Sequence, residues 1–238
     1  VIGAGRSASS LIKYLLENSE KEQLHITISD LSEELAEQKT NNHKNATAIE
    51  LDIFNESERK IEIQKADIIV SMLPAHLHIE IAKDCILYKK HMVTASYISA
   101  AMQELDRAAK ENNLIFMNEI GLDPGIDHMS AMKILDEIRE KGGNIILFES
   151  FCGGLVAPES DTNLWNYKFT WNPRNVVLAG QGGAAKFIQE GNYKYIPYSK
   201  LFRRTEFLEV EDYGRFEAYA NRDSLKYRTI YGLENIPT

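Results

Sequence analysis

Within its first ten residues the chain carries a glycine turn of the form G-x-G-x-x-A. It is Gly3-Ala4-Gly5-Arg6-Ser7-Ala8, set between the apolar pair Val1-Ile2 and an amphipathic run. Ala8, Leu11, Ile12, Leu15 and Leu16 follow the i, i+3, i+4, i+7, i+8 spacing of a buried helix face. A strand that feeds a helix through such a turn is the context in which the motif cradles a dinucleotide. Gly3 permits the tight turn, Gly5 lets the backbone approach a pyrophosphate, and Ala8 allows close packing of helix on sheet. Gly3, Gly5, Arg6, Ser7 and Ala8 are therefore candidate cofactor-binding residues, with the helix N-terminus facing the phosphates.

The next 110 or so residues alternate in period. Strands are predicted at Leu24–Ser29, Ala46–Leu51, Asp67–Ser71, Met92–Ala95 and Leu114–Asn118, with the fourth segment of the sheet, Asp67–Ser71, expected to be buried on both faces. Helices are predicted from Ser32 (as N-cap), over Glu58–Lys65, Leu77–Tyr88 and Ser99–Asn112. Strands alternating with helices predict βαβ units and a Rossmann-type, doubly wound parallel sheet. Asp30 ends the second strand about 20 residues beyond the motif, where an acid hydrogen-bonds the adenosine ribose and repels a 2′-phosphate. NAD is therefore favoured over NADP, the alternative use of Asp30 being to cap the next helix. Asp52 is placed to reach the adenine amino group or to sit in a solvated loop. Leu73 and Pro74 follow the fourth strand, on the nicotinamide side.

The pattern changes near Gly121. A helix over Ile126–Lys141 stops at Gly142-Gly143. Beyond it, polar strands are predicted at Asn144–Phe151, Tyr167–Trp171, Ala184–Glu190, Thr205–Val210 and Arg215–Tyr219, with turn signals at Glu190-Gly191-Asn192 and Asp212-Tyr213-Gly214. The expected architecture is α/β: a dinucleotide-binding domain over 1–122, then a mixed α+β substrate domain with an antiparallel sheet over 123–238.

Composition narrows the function classes. Apolar residues make up 44% and charged residues 26% of 238, close to the soluble globular average. A net charge of −8 argues against a broad nucleic-acid footprint. No run approaches the roughly 20 apolar residues of a membrane helix. Two cysteines, Cys85 and Cys152, are too few for a disulfide framework and suit a reducing cytoplasm. Only two strand residues precede Gly3, where about four to six are usual, so preceding chain is expected, and Ile236-Pro237-Thr238 reads as a fragment boundary.

Five further segments belong together: Ala95-Ser96-Tyr97; Gly121-Leu122-Asp123-Pro124-Gly125-Ile126-Asp127-His128; Ser150 to Glu159 with Cys152-Gly153-Gly154; Tyr167 to Trp171 followed by Pro173-Arg174; and Asn221-Arg222-Asp223-Ser224, which opens a predicted helix. With the glycine turn, they resemble saccharopine dehydrogenase of the glutamate-forming type, over nearly the whole chain. Lysine dehydrogenase and the carboxynorspermidine and homospermidine synthases share the wider architecture; the N-R-D-S element favours the saccharopine branch. The resemblance implies NAD(P)-dependent interconversion of saccharopine with glutamate and 2-aminoadipate 6-semialdehyde, in lysine metabolism. It implies that Tyr97 and Asp123 move protons or hold substrate, that Ser96 hydrogen-bonds a substrate carboxylate, and that Cys152, Gly153 and Gly154 wall the nicotinamide.

A substrate with three carboxylates needs cations. Arg222 is the first candidate for a bidentate clamp and Arg174 the second. His76 and His78 lack a third ligand nearby and read as a loop–helix junction, not a metal pair. His128 reads as packed at its helix start. A small amino-acid substrate is the expected partner, and a homodimer is one assembly open to such a chain. The competing non-enzymatic reading, a nucleotide sensor, does not call for Tyr97, Asp123 and Arg222 together.

Overall fold

The computed structural model describes residues 1–170, 172–179 and 183–238. It divides into two compact units, Val1–His128 and Met129–Thr238.

In the first unit, the segment at Ile2 lies between two strands and bridges both. Ile2 pairs in parallel with Ser29 and with Ser71, and its amide donates to the Val70 carbonyl at 2.8 Å while Gly3 N donates to Ser29 O at 2.7 Å. A short 3-10 turn, Arg6–Ala8, leads into α1, Ser9–Asn18. Then come β1 (Ile26–Asp30), α2 (Glu33–Thr40), β2 (Ala46–Glu50), α3 (Glu56–Lys65) and β3 (Ile68–Val70). They are followed by α4 (His78–Leu87), β4 (His91–Val93), α5 (Ala100–Glu104), α6 (Asp106–Glu111) and β5 (Phe116–Met117). β1 pairs in parallel with β2, β3 with β4, and β4 with β5. Read across the sheet the order is β2, β1, the Ile2 segment, β3, β4, β5. It reverses at the Ile2 segment, the switch point of a doubly wound sheet, beside which ligands bind at the carboxyl ends of the strands.

Right-handed crossovers send the helices on either side of that switch to opposite faces, and the core divides accordingly. Ala8, Ile12, Leu16, Ile26, Ile28 and Ala36 form one cluster. Ile2, Ile63, Ile69, Ile81, Cys85 and Met92 belong to the other. The cap expected at Ser32 is present, its hydroxyl accepting from Leu35 N, and Ser99 caps α5 in the same way, accepting from Met102 N. Within the second cluster the buried Arg59 donates from Nε to Asp84 Oδ2 at 2.7 Å, joining α3 to α4.

Two expectations in this unit need correction. The strand at Ile68 is not buried on both faces: Ile68 is 56% exposed. It opens a three-residue strand, at the end of the sheet where its ladder partner is His91. The helix expected over Ser99–Asn112 is two, meeting at Leu105, which caps the end of α5 and the start of α6.

The second unit holds most of α7 (Ile126–Glu140), α8 (Pro173–Ala179) and two antiparallel hairpins. β6 (Ala185–Gln189) pairs with β7 (Asn192–Ile196), and β8 (Thr205–Val210) with β9 (Gly214–Tyr219). The first hairpin turns at Glu190 and Gly191, with φ of 51° and 73°, the positive pair that matches strand twist. The sequence pattern does not announce β7 as a strand. α7 ends at Gly142, φ 71°, with Gly143 N donating to Ile138 O at 2.9 Å. Ala131 and Leu135 of α7 pack with Tyr231 and Leu233, and Ala185, Ile196 and Leu201 form a separate small core.

The strands expected over Asn144–Phe151 and Tyr167–Trp171 are not strands here; Trp171 itself lies outside the described residues. Both segments have strand composition, but a strand exists only where a neighbour completes its ladder, and that neighbour is not encoded in the segment. The helix expected to open at Asn221 is instead a run of turns. Arg222 takes a left-handed φ of 45°, which starts no helix, and its carbonyl accepts from Lys186 N at 2.7 Å.

Candidate functional site

At the head of the first unit, Gly3 has φ 103°, and a Cβ there would stand 3.0 Å from the Met72 carbonyl oxygen. The glycine lets the turn pass against the chain that leaves β3. Gly5 differs. Its φ of −64° suits any residue, and no atom of the described residues lies within 4 Å of where its Cβ would be. Nothing inside the described chain requires glycine there, whereas an approaching pyrophosphate does. Ala8 is fully buried, so a larger residue would push the helix off the sheet. Arg6 and Ser7 are exposed on the turn.

Asp30 ends β1 with both oxygens engaged. Oδ2 accepts from Ala4 N at 2.7 Å and Oδ1 from Ser32 N at 3.2 Å. The carboxylate braces the glycine turn and the entry to α2. Lys39, on α2, donates to Ser9 Oγ at 2.6 Å, which brings a cation to the first turn of α1. Asp52 caps its own loop, accepting from Phe54 N at 2.9 Å. Leu73 packs against the core and Pro74 precedes a short 3-10 turn, Ala75–Leu77.

Beyond β4 the chain brings Ser96 and Tyr97 to the carboxyl edge of the sheet. Tyr97 Oη donates to Asp123 Oδ1 at 2.6 Å. The loop carrying Asp123 is held by glycines that cannot be replaced cheaply. Gly125 has φ 153°, and a Cβ there would fall 2.0 Å from the Gly121 carbonyl oxygen; a Cβ at Gly121 would touch Ala95 at 3.1 Å. Gly121 N donates to Pro124 O at 2.8 Å and Ile126 N to Gly121 O at 3.0 Å. Asp123 is thus presented outward on a closed loop, with the exposed Tyr97 hydroxyl against it.

Two residues that sequence reasoning missed support this loop pair. Glu119 accepts from Ile98 N at 2.9 Å through one oxygen, and His128 Nε2 lies 3.5 Å from the other. Glu119 has a positive φ of 57°, which no sequence signal announces. His78, read only as a loop–helix junction, opens α4 and is 3% exposed. Its Nδ1 lies 2.8 Å from Ser71 Oγ and its Nε2 2.8 Å from Ser96 Oγ. Burial lowers the His78 pKa, and His76 nearby lowers it further. Burial, followed by the Asp84 charge, pushes the Cys85 thiol up to about 12, so it is inert.

The remaining candidates lie in the second unit. Cys152, Gly153 and Gly154 are exposed in an irregular stretch, and a Cβ at Gly154 would meet nothing within 4 Å. Arg174 is exposed near the start of α8. Arg222 is exposed beside Asp223, whose carboxylate pairs instead with Lys186 Nζ at 3.1 Å. Among the described residues no group of three His, Cys, Asp or Glu could hold a metal ion, and no helix is long and apolar enough to cross a membrane.

Comparison with known proteins identifies the surroundings of these residues. Residues 1–117 match the saccharopine dehydrogenase NADP binding domain, and residues 121–238 the saccharopine dehydrogenase C-terminal domain. The chain is 39% identical over 210 residues to the saccharopine dehydrogenase [NADP(+), L-glutamate-forming] of Pyricularia oryzae, covering 88% of this chain and 46% of that protein. It is 35% identical to the alpha-aminoadipic semialdehyde synthase of Arabidopsis thaliana, over 93% of this chain and 21% of that one. The apo saccharopine dehydrogenase (L-Glu forming) of Saccharomyces cerevisiae superposes with a TM-score of 0.90 at 32% identity, covering all of this chain and 52% of its own. The chain thus spans about half the length of the fungal enzymes it matches. The NAD preference expected from Asp30 finds no support here, since the matched domain is described as NADP binding. With both halves matched in order and the fold shared throughout, the chain belongs to the saccharopine dehydrogenase family.

Proposed function

We propose that this chain forms the dinucleotide-binding and substrate-facing part of an NADP-dependent oxidoreductase of the CH–NH group. Its reaction interconverts saccharopine with L-glutamate and 2-aminoadipate 6-semialdehyde. The observation that carries the reading is the Tyr97–Asp123 hydrogen bond of 2.6 Å, at the same carboxyl edge of the sheet as the open cradle at Gly5.

Gly3 to Ala8 and the first turn of α1 would hold the pyrophosphate. Lys39 and Ser9 would hold the 2′-phosphate. A bound nicotinamide nucleotide would supply the hydride chemistry at the carbon of the substrate C–N bond. The protein supplies proton transfer and charge. In the oxidative direction Asp123 accepts a proton from the water that adds to the imine. The Tyr97 hydroxyl holds that carboxylate in one orientation and relays the proton, giving its own to the departing amine and recovering one from the protonated Asp123. Ser96 and Arg222 bind substrate carboxylates, with Arg174 as a second cation, and Cys152, Gly153 and Gly154 line the approach to the reacting carbon. Cys152 needs no nucleophilic role, because hydride transfer forms no covalent bond to sulfur. Two cysteines, too few for a disulfide framework, favour a reducing compartment such as the cytoplasm.

NADP is favoured over NAD because Lys39 supplies a cation at the first turn of α1 and the matched domain is described as NADP binding. The test is the full-length protein assayed by nucleotide absorbance with saccharopine, lysine and carboxynorspermidine, each with both nucleotides. Saccharopine with NADP should be turned over well above every other pair. Preference for lysine or carboxynorspermidine would move the chain to another branch of the fold, and preference for NAD would return Asp30 to the ribose.

A further inference from the structure

The buried imidazole of His78 stands between two strands' ends that the function treats separately. Ser71 closes β3 and precedes the Met72-Leu73-Pro74 loop on the nicotinamide side. Thr94 and Ser96 follow β4 and precede Tyr97. His78 joins them: Nδ1 lies 2.8 Å from Ser71 Oγ, Nε2 lies 2.8 Å from Ser96 Oγ and 3.3 Å from Thr94 Oγ1. Ser71, His78 and Thr94 are all buried. Thr94 Oγ1 also accepts from Ser96 N at 3.3 Å, so the backbone and side chain of Ser96 are both tied to this cluster.

A neutral imidazole has one N–H donor and one bare acceptor nitrogen, and a hydroxyl has one proton to give. These rules leave two tautomers. If Nδ1 carried the proton, Nε2 would accept from a hydroxyl, and acceptance from Ser96 at 2.8 Å, nearer than Thr94 at 3.3 Å, would leave Ser96 with only lone pairs for a ligand. A carboxylate accepts hydrogen bonds and donates none, so Ser96 would repel the group it is meant to hold. If Nε2 carries the proton, it donates to Ser96 Oγ, and the Ser96 hydroxyl proton is free to point at a carboxylate. In this tautomer the bare Nδ1 accepts from the Ser71 hydroxyl, 2.8 Å away. Burial, which holds the ring neutral, keeps the choice between tautomers meaningful.

We propose that His78 is a positioning residue that, as the Nε2–H tautomer with Nδ1 accepting from Ser71, turns Ser96 into a hydrogen-bond donor for a substrate carboxylate. The inference rests on the reading of Ser96 as a carboxylate ligand. His78 itself touches neither substrate nor nucleotide in this scheme. It acts through Ser96, and its second effect is to couple the chain segments that leave β3 and β4.

The test uses the full-length enzyme and two variants that divide the ring's functions. The Asn amide reaches the place of Nδ1 and the Gln amide the place of Nε2. His78→Asn keeps a partner for Ser71 and loses the donor to Ser96; His78→Gln keeps that donor. The KM for saccharopine should rise about tenfold or more in His78→Asn, the size of one hydrogen bond to a charged group. It should stay within about threefold of wild type in His78→Gln, with NADPH affinity unchanged in both. His78→Asn should add nothing to the loss already caused by Ser96→Ala, since both remove the same bond. Unchanged KM in His78→Asn, additive losses with Ser96→Ala, or equal losses of substrate and nucleotide binding in both variants would overturn the proposal. Histidine-selective 15N NMR of the wild type, with His78 assigned by through-bond correlation to its own backbone, reads the tautomer directly. A protonated Nδ1 would overturn the proposal even if both variants misfolded. Should saccharopine not be a substrate at all, the functional reading fails on the wild type alone, while the NMR result still decides the tautomer.

Discussion

Glycines at the site divide by what needs them. Gly125 is needed by the fold, with its left-handed φ and the Gly121 carbonyl oxygen 2.0 Å from any Cβ. Gly5 is needed by nothing in the described chain. Gly5→Val should therefore keep the thermal stability of the protein and abolish nucleotide binding, as read by calorimetry. Gly125→Ala should destabilise it by about 1–3 kcal/mol through backbone strain alone, in denaturant titrations. Equal melting losses in both variants would mean that Gly5 also serves the turn. The same scale governs His78. Its pKa is lowered from 6.5 on folding, so below about 6.5 the unfolded chain binds a proton that the folded chain refuses. Stability is whole above that value and falls as pH drops from 6.5 towards the lowered folded value. His78→Gln, which does not titrate, should show a shallower loss between pH 7 and pH 5; an identical slope would place the acid sensitivity elsewhere.

At the scale of elements, α3 and α4 are joined by Arg59 and Asp84, both buried, with Arg59 also donating from Nη1 to the Ile53 carbonyl. Removing one partner leaves the other charge in a dry site. Asp84→Ala should cost about 3–5 kcal/mol, against less than about 1 kcal/mol for breaking an exposed pair such as Lys83–Glu80. Similar denaturant midpoints for the two variants would refute this. Elements were legible in sequence where their own residues define them: α1 by its apolar stripe, α2 by Ser32, α7 by Gly142. They were illegible where a neighbour defines them. Asn144–Phe151 and Tyr167–Thr170 look like strands but have no ladder among the described residues, and Asn192–Ile196 is a strand because Ala185–Gln189 pairs with it.

At the scale of the molecule, the candidate residues divide between two units. Tyr97, Asp123 and Ser96 belong with the nucleotide turn in Val1–His128, and Arg174 and Arg222 with Met129–Thr238. The division predicts separable effects. Arg222→Met in the full-length enzyme should weaken saccharopine binding about 30-fold or more and leave NADPH binding unchanged, since the clamp is read on the substrate carboxylates and not on the nucleotide. Arg222→Lys should fall between, keeping charge and losing the fork. Equal losses of both ligands would show Arg222 to be structural.

The amino-acid sequence by itself determined the alternation of strands and helices that makes a doubly wound sheet, because hydrophobic period and glycine turns are local properties that each segment carries alone. It also marked Gly5, Tyr97, Asp123 and Arg222 as chemistry to be explained. Only the tertiary structure decided what Asp30 and His78 are bonded to. Asp30 ends its strand as the sequence reads, and only the fold puts Ala4 N and Ser32 N on its oxygens; His78 starts its helix as the sequence reads, and only the fold puts Ser71 and Ser96 on its ring. Ala4 and Ser96, the far partners, lie 26 and 18 residues away along the chain. A polar side chain's role is set by whichever donors and acceptors the fold closes around it, and no local pattern records them.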